Sequence, residues 1–229
     1  NYFKQMIGLR IAVAVLKSTM TAFEASSTLS QLAEGLVNAV LRLSLTEVEA
    51  RHGHLPGPEL AVIAYGSFGA SALGFDSDLD LIFLYQSSTG VSDGQRPLAA
   101  EGYHTNVARR MLSLMSAMTP GGRLYSIDAR LRPNGRAGLL VSSVDAFRRY
   151  QLEEAWTWEL QALTRARPVA GDVPTSNEFT DIRQQVLTVA RDKTQIKSEV
   201  TDMRERLRRE HGDTNPLKHG RGGLLDIEF

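Results

Sequence analysis

Two carboxylates, Asp78 and Asp80, stand at the mouth of the apolar run Leu81-Ile82-Phe83-Leu84-Tyr85. A short apolar run bounded by turn residues reads as a buried strand, and residues two apart in a strand share a face. The two side chains would project together where the backbone is about to be buried, with Leu79 turned behind them. Like charges this close raise one another's proton affinity unless a cation lies between them. Mg²⁺ suits that place, because it takes hard oxygen ligands and is commonly held by one or two carboxylates plus phosphate oxygens. Upstream, the apolar residues 60–65 end in Gly66-Ser67, followed by Gly69 and Gly74. The backbone N–H groups and hydroxyl of Gly66-Ser67 are suited to a polyphosphate tail.

A third carboxylate comes from the stretch RLYSIDARLRP. Tyr125, Ile127, Ala129 and Leu131 alternate with Ser126, Asp128, Arg130 and Arg132, which predicts a strand. Asn134-Gly135 is a tight-turn signal and predicts a hairpin returning through 138–141. Asp128 would share its face with Arg130 and Arg132, and a carboxylate beside two guanidiniums suits a two-metal phosphoryl-transfer site.

Around these strands the periodicity is helical. The first fifty residues read as helix, with Thr28 and Gln31 as a capping box and Leu29, Leu32, Ala33, Leu36, Val37, Val40 and Leu41 on one face. Residues 51–58 read as a linker. A helix is predicted over 103–118, where Val107, Met111, Leu114, Met115 and Met118 share a face. Another is predicted over 143–158, followed by a short alternating strand through Leu163, Arg165 and Arg167. Beyond Pro174 two helices are predicted, the second with a narrow stripe of Ile196, Val200, Met203 and Leu207. The organisation is therefore α+β, a mixed-sheet core flanked by N-terminal and C-terminal helices. Residues 1–55 form a helical segment, 56–172 the core, and 173–229 a second helical segment.

Composition narrows the function. The 26 basic and 26 acidic residues cancel, which argues against a long nucleic acid as the main partner. With no cysteine there is no disulfide framework or thiolate metal site, and a reducing compartment fits. No run approaches a membrane span and no signal peptide is visible, so the expected location is the cytoplasm. The chain opens on Asn1 rather than Met and stops at Phe229, which reads as a piece of something longer.

Hydrophobic-Gly-Ser, then Asp-hydrophobic-Asp, then a carboxylate on a later strand resembles the signature of the DNA-polymerase-β-like nucleotidyltransferases. The phrases GFDSDLDLIFLY, LYSIDARLRPNGRAGLLVSS, YQLEEAWTWELQALTRARPVAGD and GRGGLLDIEF narrow this. They resemble the glutamine synthetase adenylyltransferase (glutamate–ammonia-ligase adenylyltransferase) family over nearly the whole chain, and its C-terminal, AMP-attaching half more than its AMP-removing half. The resemblance implies an enzyme that moves AMP from ATP to a tyrosine of glutamine synthetase and releases pyrophosphate. Asp78, Asp80 and Asp128 would be its catalytic and metal-binding residues, holding two Mg²⁺ ions, with Mn²⁺ as an alternative. Gly66, Ser67, Arg130 and Arg132 would contact the nucleotide. It also implies a PII-type nitrogen signal protein as partner and glutamine as effector. Two other readings stay open: phosphorolytic AMP removal by the related domain, and a non-catalytic nucleotide-binding regulatory domain. One departure is plain. The family loop usually reads Gly-Lys-Leu-Gly-Gly followed by a Glu, whereas here it is Gly66-Ser67-Phe68-Gly69-Ala70 with Ala72 near the Glu position. No lysine role carries over to Ser67.

The remaining chemistry-bearing residues read blandly. His52, His54, His104, His211 and His219 lack metal-ligand spacing and are expected as solvated loop or helix residues. Of Trp156 and Trp158, two apart on a helix, one is expected to pack inward. Arg204, Arg206, Arg208 and Arg209 read as a solvated helix face. Asp226 and Glu228 read as the start of a further helix, where negative charge is favourable.

Overall fold

The computed structural model describes residues 1–57, 59–87, 90–211, 217 and 220–228, with backbone alone for 136, 210, 211 and 228. The expectations for His219, and for the side chains of His211 and Glu228, lie outside the described residues.

Two helices lead, α1 (Tyr2–Leu16) and α2 (Ala22–His52). The capping box of α2 is not Thr28 with Gln31 but Thr21 with Glu24. Thr21 Oγ1 accepts from Glu24 N, and Glu24 accepts from Thr21 N. Thr28 lies about two turns inside and donates to Glu24 O, so the helix starts earlier than its apolar stripe. Leu29, Ala33, Val37 and Leu41 of that stripe are buried.

The sheet follows. β1 (Ala61–Ala64) and β2 (Leu79–Tyr85) are antiparallel, and β5 (Arg167–Gly171) pairs antiparallel with the other side of β1. The free edge of β2 carries two short parallel partners in succession: β3 (Ile127–Asp128) on its first residues and β4 (Val141–Ser143) on its last. The sequence-based hairpin is therefore corrected. Both strands run parallel to β2 rather than antiparallel to each other. The strand stops at Asp128 because Arg130 folds back on it, its N–H and Nε both donating to Asp128 Oδ1 at 2.9 Å. Asn134 and Gly135 do make a tight turn, both with positive φ (60° and 53°), but it opens a 3-10 helix over Gly135–Ala137.

β1 and β2 are buried along nearly their whole length, as expected of strands covered on both faces. Val62, Ala64, Leu81, Phe83 and Tyr85 face α2 and α4 (Ala100–Ser116). Ala61, Ile63, Ile82 and Leu84 face Phe147, Phe179, Ile182 and Val186 of α5 (Val144–Glu153) and α7 (Val173–Thr188). Proline is tolerated at Pro168 because β5 is an edge strand, and the register slips beside it between Val62 and Ile63.

Further corrections fall between the sheet and the C-terminal helices. The helix expected over 143–158 breaks into α5 and α6 (Thr157–Leu163). Glu159 causes the break: buried, it accepts from Trp156 N at 2.9 Å and from Tyr150 OH at 2.9 and 3.0 Å. Neither tryptophan joins the core. Trp156 is 70% exposed, and both line a cleft between α6 and α8 (Lys193–His211) with Ile196, Val200 and Met203. The strand expected through Leu163, Arg165 and Arg167 begins only at Arg167, because Leu163 closes α6. Arg204 and Arg208 are not purely solvated: both pair with Asp226, which also accepts from Gly222 N at 2.8 Å in the first turn of α9 (Leu224–Glu228). Among the described residues no helix is long and apolar enough to cross a membrane.

His104 is the largest departure from the solvated histidines expected. It is 2% exposed, lies against the rings of Tyr85 and Tyr103, and neither ring nitrogen has a hydrogen-bond partner among the described residues. Burial pushes its pKa from 6.5 down to about 4. Between those values the unfolded chain takes up a proton that the folded chain refuses, so stability falls as pH drops through that window. Chemical denaturation at pH 5 against pH 7.5 is expected to show a loss of about 2 kcal/mol at this site. His104→Phe should remove that part of the pH dependence.

Candidate active site

β1 ends at Ala64, and after Tyr65 the chain turns at once into α3 (Gly66–Gly69). Tyr65 N donates to Asp80 O at 2.9 Å, which ties this turn to the start of β2. Gly66 has φ +57°, and a Cβ there would lie 2.3 Å from Asp80 Oδ2. The glycine serves twice: it adopts a left-handed conformation, and it leaves the space that the Asp80 carboxylate fills. The N–H groups of Gly66, Ser67 and Phe68 open this turn and are not used in its i to i−4 bonds.

Asp80 and Asp128 are Cα partners in the parallel β2–β3 ladder. Partners in register place their side chains on one face of adjacent strands about 4.8 Å apart. Asp78 precedes the first residue of β2 and is exposed. It stands in a loop rather than in the strand that the sequence suggested. The structure therefore brings Gly66, Asp80 and Asp128 together, and leaves Asp78 two residues before Asp80 in the exposed loop that leads into β2.

The two arginines differ. Arg130 grips Asp128 through both carboxylate oxygens, with Nε to Oδ2 at 2.7 Å. Its hydrogen bond and charge attraction to Asp128, with a smaller contribution from Asp80, raise its pKa further. Arg132 is turned into the loop, Nη1 donating to Ala129 O at 2.6 Å and Nε to Gly138 O at 3.2 Å. It fixes the segment between β3 and β4.

Sequence reasoning missed the supports of this site. Arg167 Nε donates to Gly69 O at 3.2 Å and its Nη1 to Glu34 Oε2 at 2.8 Å, tying the glycine turn to α2. Tyr65 is fully buried behind the turn, and burial, with the nearby Glu159 charge, pushes its phenol far above the usual range. It is a packing residue, not an acid. No local pattern marks either contact, since the partners lie far apart in the chain.

Among the described residues no three His, Asp or Glu side chains converge closely enough to hold a metal on their own. The donors present still fit Mg²⁺. They are hard oxygens, they lie on neighbouring strands, and a space left by a missing Cβ admits one of them; two such carboxylates completed by phosphate oxygens is its usual set.

A mixed sheet flanked by helices, with a glycine turn set against paired aspartates, is the arrangement of a polymerase-β-like nucleotidyltransferase. Comparison with known proteins narrows this class. Residues 1–182 match the family described as Glutamate-ammonia ligase adenylyltransferase. The whole chain is 45% identical to part of a bifunctional glutamine synthetase adenylyltransferase/adenylyl-removing enzyme of Xanthomonas axonopodis pv. citri, covering 25% of that protein. Over 99% of the chain it is 46% identical to the protein of the same description from Methylococcus capsulatus, again 25% of that protein. The chain belongs to the glutamate–ammonia ligase adenylyltransferase family, and it spans about a quarter of the length of the curated relatives it matches.

Proposed function

We propose that this chain transfers AMP from ATP to a tyrosine hydroxyl of glutamine synthetase and releases pyrophosphate. The observation that carries the reading is the juxtaposition of Gly66, Asp80 and Asp128 in a member of this family. The phenolic oxygen attacks the α-phosphorus, the bond from that phosphorus to the α,β-bridging oxygen breaks, and pyrophosphate leaves. A free phenol has a pKa of about 10, so it needs a proton acceptor. Asp128 takes that role, oriented by Arg130. The N–H groups of Gly66 and Ser67 and the Ser67 hydroxyl hold the β- and γ-phosphates. Arg130 adds positive charge toward the phosphates, and Arg132 keeps its loop in place. Asp78, Asp80 and Asp128 would hold Mg²⁺. When bound, that ion supplies Lewis-acid charge to the α-phosphate and favours the phenolate. A PII-type signal protein and glutamine as regulators, and a cytoplasmic location, belong to the same reading.

The relatives' description also includes adenylyl removal, so phosphorolytic removal of AMP, in which inorganic phosphate attacks the tyrosyl-bound phosphorus, the phenolate leaves and ADP forms, is the second reading. Incubation with ATP, Mg²⁺ and unmodified glutamine synthetase should add one AMP mass per subunit by intact-mass measurement. Loss of AMP from modified subunits in the presence of phosphate, with no gain in the first incubation, would favour removal.

Gly66→Ala tests the close approach. A left-handed conformation costs a non-glycine residue about 1–2 kcal/mol, and the new methyl displaces the Asp80 carboxylate. The expected result is a modest fall in melting temperature with a loss of AMP transfer of about a hundredfold, equivalent to a barrier rise of about 2.7 kcal/mol.

A further inference from the structure

β3 is only two residues long. Its ladder with β2 comprises the pairs Leu79–Ile127 and Asp80–Asp128, preceded by the bond from Leu79 N to Ser126 O at 2.9 Å. So short a strand is held in register largely by what grips the chain entering it, and that grip comes from α1. Asn1 Nδ2 donates to Thr119 Oγ1 at 2.6 Å, and Gln5 Nε2 donates to Gly121 O at 2.7 Å. Lys4 lies closest to the strand. Its Nζ donates to Leu124 O at 2.6 Å and stands 3.7 Å from the centroid of the Tyr125 ring. Tyr125 is buried, and Leu124 N and Tyr125 N both donate to Met115 O at the end of α4, at 3.1 and 3.0 Å. An ammonium ion over a buried ring, bonded to a carbonyl, is a strong local anchor.

We propose that Lys4 is a positioning residue for the reaction: it holds the backbone entering β3, and through it the Asp128 carboxylate, in register with Asp80. The inference rests on the adenylyl-transfer reading for its catalytic consequence, but its structural half stands without it. Lys4 is partly desolvated, which lowers its pKa, while the charge of Asp76, two residues before Asp78, acts in the opposite sense. Lys4 is thus electrostatically linked to the loop that carries Asp78 as well as bonded to the approach to Asp128.

Lys4→Met keeps the apolar stem over Tyr125 and removes the donor and the charge, whereas Lys4→Arg keeps both. In Lys4→Met, kcat for AMP transfer is expected to fall about tenfold while KM for ATP changes less than about twofold. Lys4→Arg should recover at least about half of the wild-type rate. Amide hydrogen exchange over residues 124–128 should speed up in Lys4→Met, with the amides of β1 and the apolar part of β2 unchanged. Should Lys4→Met fail to fold, Lys4→Gln, with a shorter neutral donor, is expected to show the same changes to a smaller degree. Wild-type exchange at 124–128 together with wild-type kcat in these variants would overturn the proposal. So would Lys4→Arg losing as much as Lys4→Met. If the wild-type protein transfers no AMP, the functional reading fails, and the exchange comparison alone still decides whether Lys4 secures β3.

Discussion

Replacing Asp80 with asparagine should lower AMP transfer by about three orders of magnitude, equivalent to a barrier rise of about 4 kcal/mol, while the protein stays folded. Asp80 meets both other parts of the site: its carboxylate lies in the space left by Gly66, and its Cα pairs with that of Asp128. Asparagine has nearly the same shape, keeps the backbone bond from Tyr65 N to residue 80 O, and fits beside the glycine. What it removes is one negative charge, and with it the second anionic oxygen proposed to hold the ion and the repulsion against neighbouring carboxylates. The rate should therefore collapse while the melting temperature holds or rises slightly. Label transfer from ATP and a thermal melt on the same preparation measure both. Near-normal turnover in the variant would mean that Asp80 does not hold the ion.

Gly69→Ala should destabilise the fold by about 3 kcal/mol, the upper end of ordinary overpacking. A Cβ at position 69 would lie 2.0 Å from Arg165 O and 2.7 Å from Ala64 O. Both obstructing atoms are backbone, so no side chain can swing aside. Gly69 is not among the glycines with positive φ, so the cost comes from crowding rather than from backbone strain. Relief requires α3 to move off β1 or the turn before β5 to shift, and either motion loosens the Arg167 contact with Gly69 O. Chemical denaturation measures the change. A loss below about 0.5 kcal/mol would show that the turn is softer than its packing implies.

The parts of the site legible in the sequence are those whose signal is local. β2 was visible because apolar residues fill Leu79–Tyr85 on both faces around a single carboxylate, and the Gly-Ser turn was visible because an apolar strand ran into it. The pairing of Asp80 with Asp128 was not visible, because the sequence marks each carboxylate but not which strand lies beside which. The alternation from Tyr125 to Arg132 misled, because period two shows only that a strand can form there. Arg130 competes for Asp128 within two residues and ends the ladder. The break between α5 and α6 was hidden because Glu159 looks like a surface residue until Tyr150 and Trp156 satisfy it. His104 did leave a signal: the stripe through Val107 and Met111, extended back one turn, passes through it. Lys4 and Arg167 left none, since their partners lie 120 and 98 residues away in the chain.

The central claim is that Asp78, Asp80 and Asp128 share divalent cations with the triphosphate of a nucleotide. Its most direct test is anomalous diffraction from crystals grown with Mn²⁺ and a non-hydrolysable ATP analogue. The account predicts manganese peaks bounded by those three carboxylates, with the β- and γ-phosphates against the N–H groups of Gly66 and Ser67. Ordered nucleotide with manganese bound elsewhere, or with Arg130 still closed on Asp128 and no metal beside it, would contradict the account.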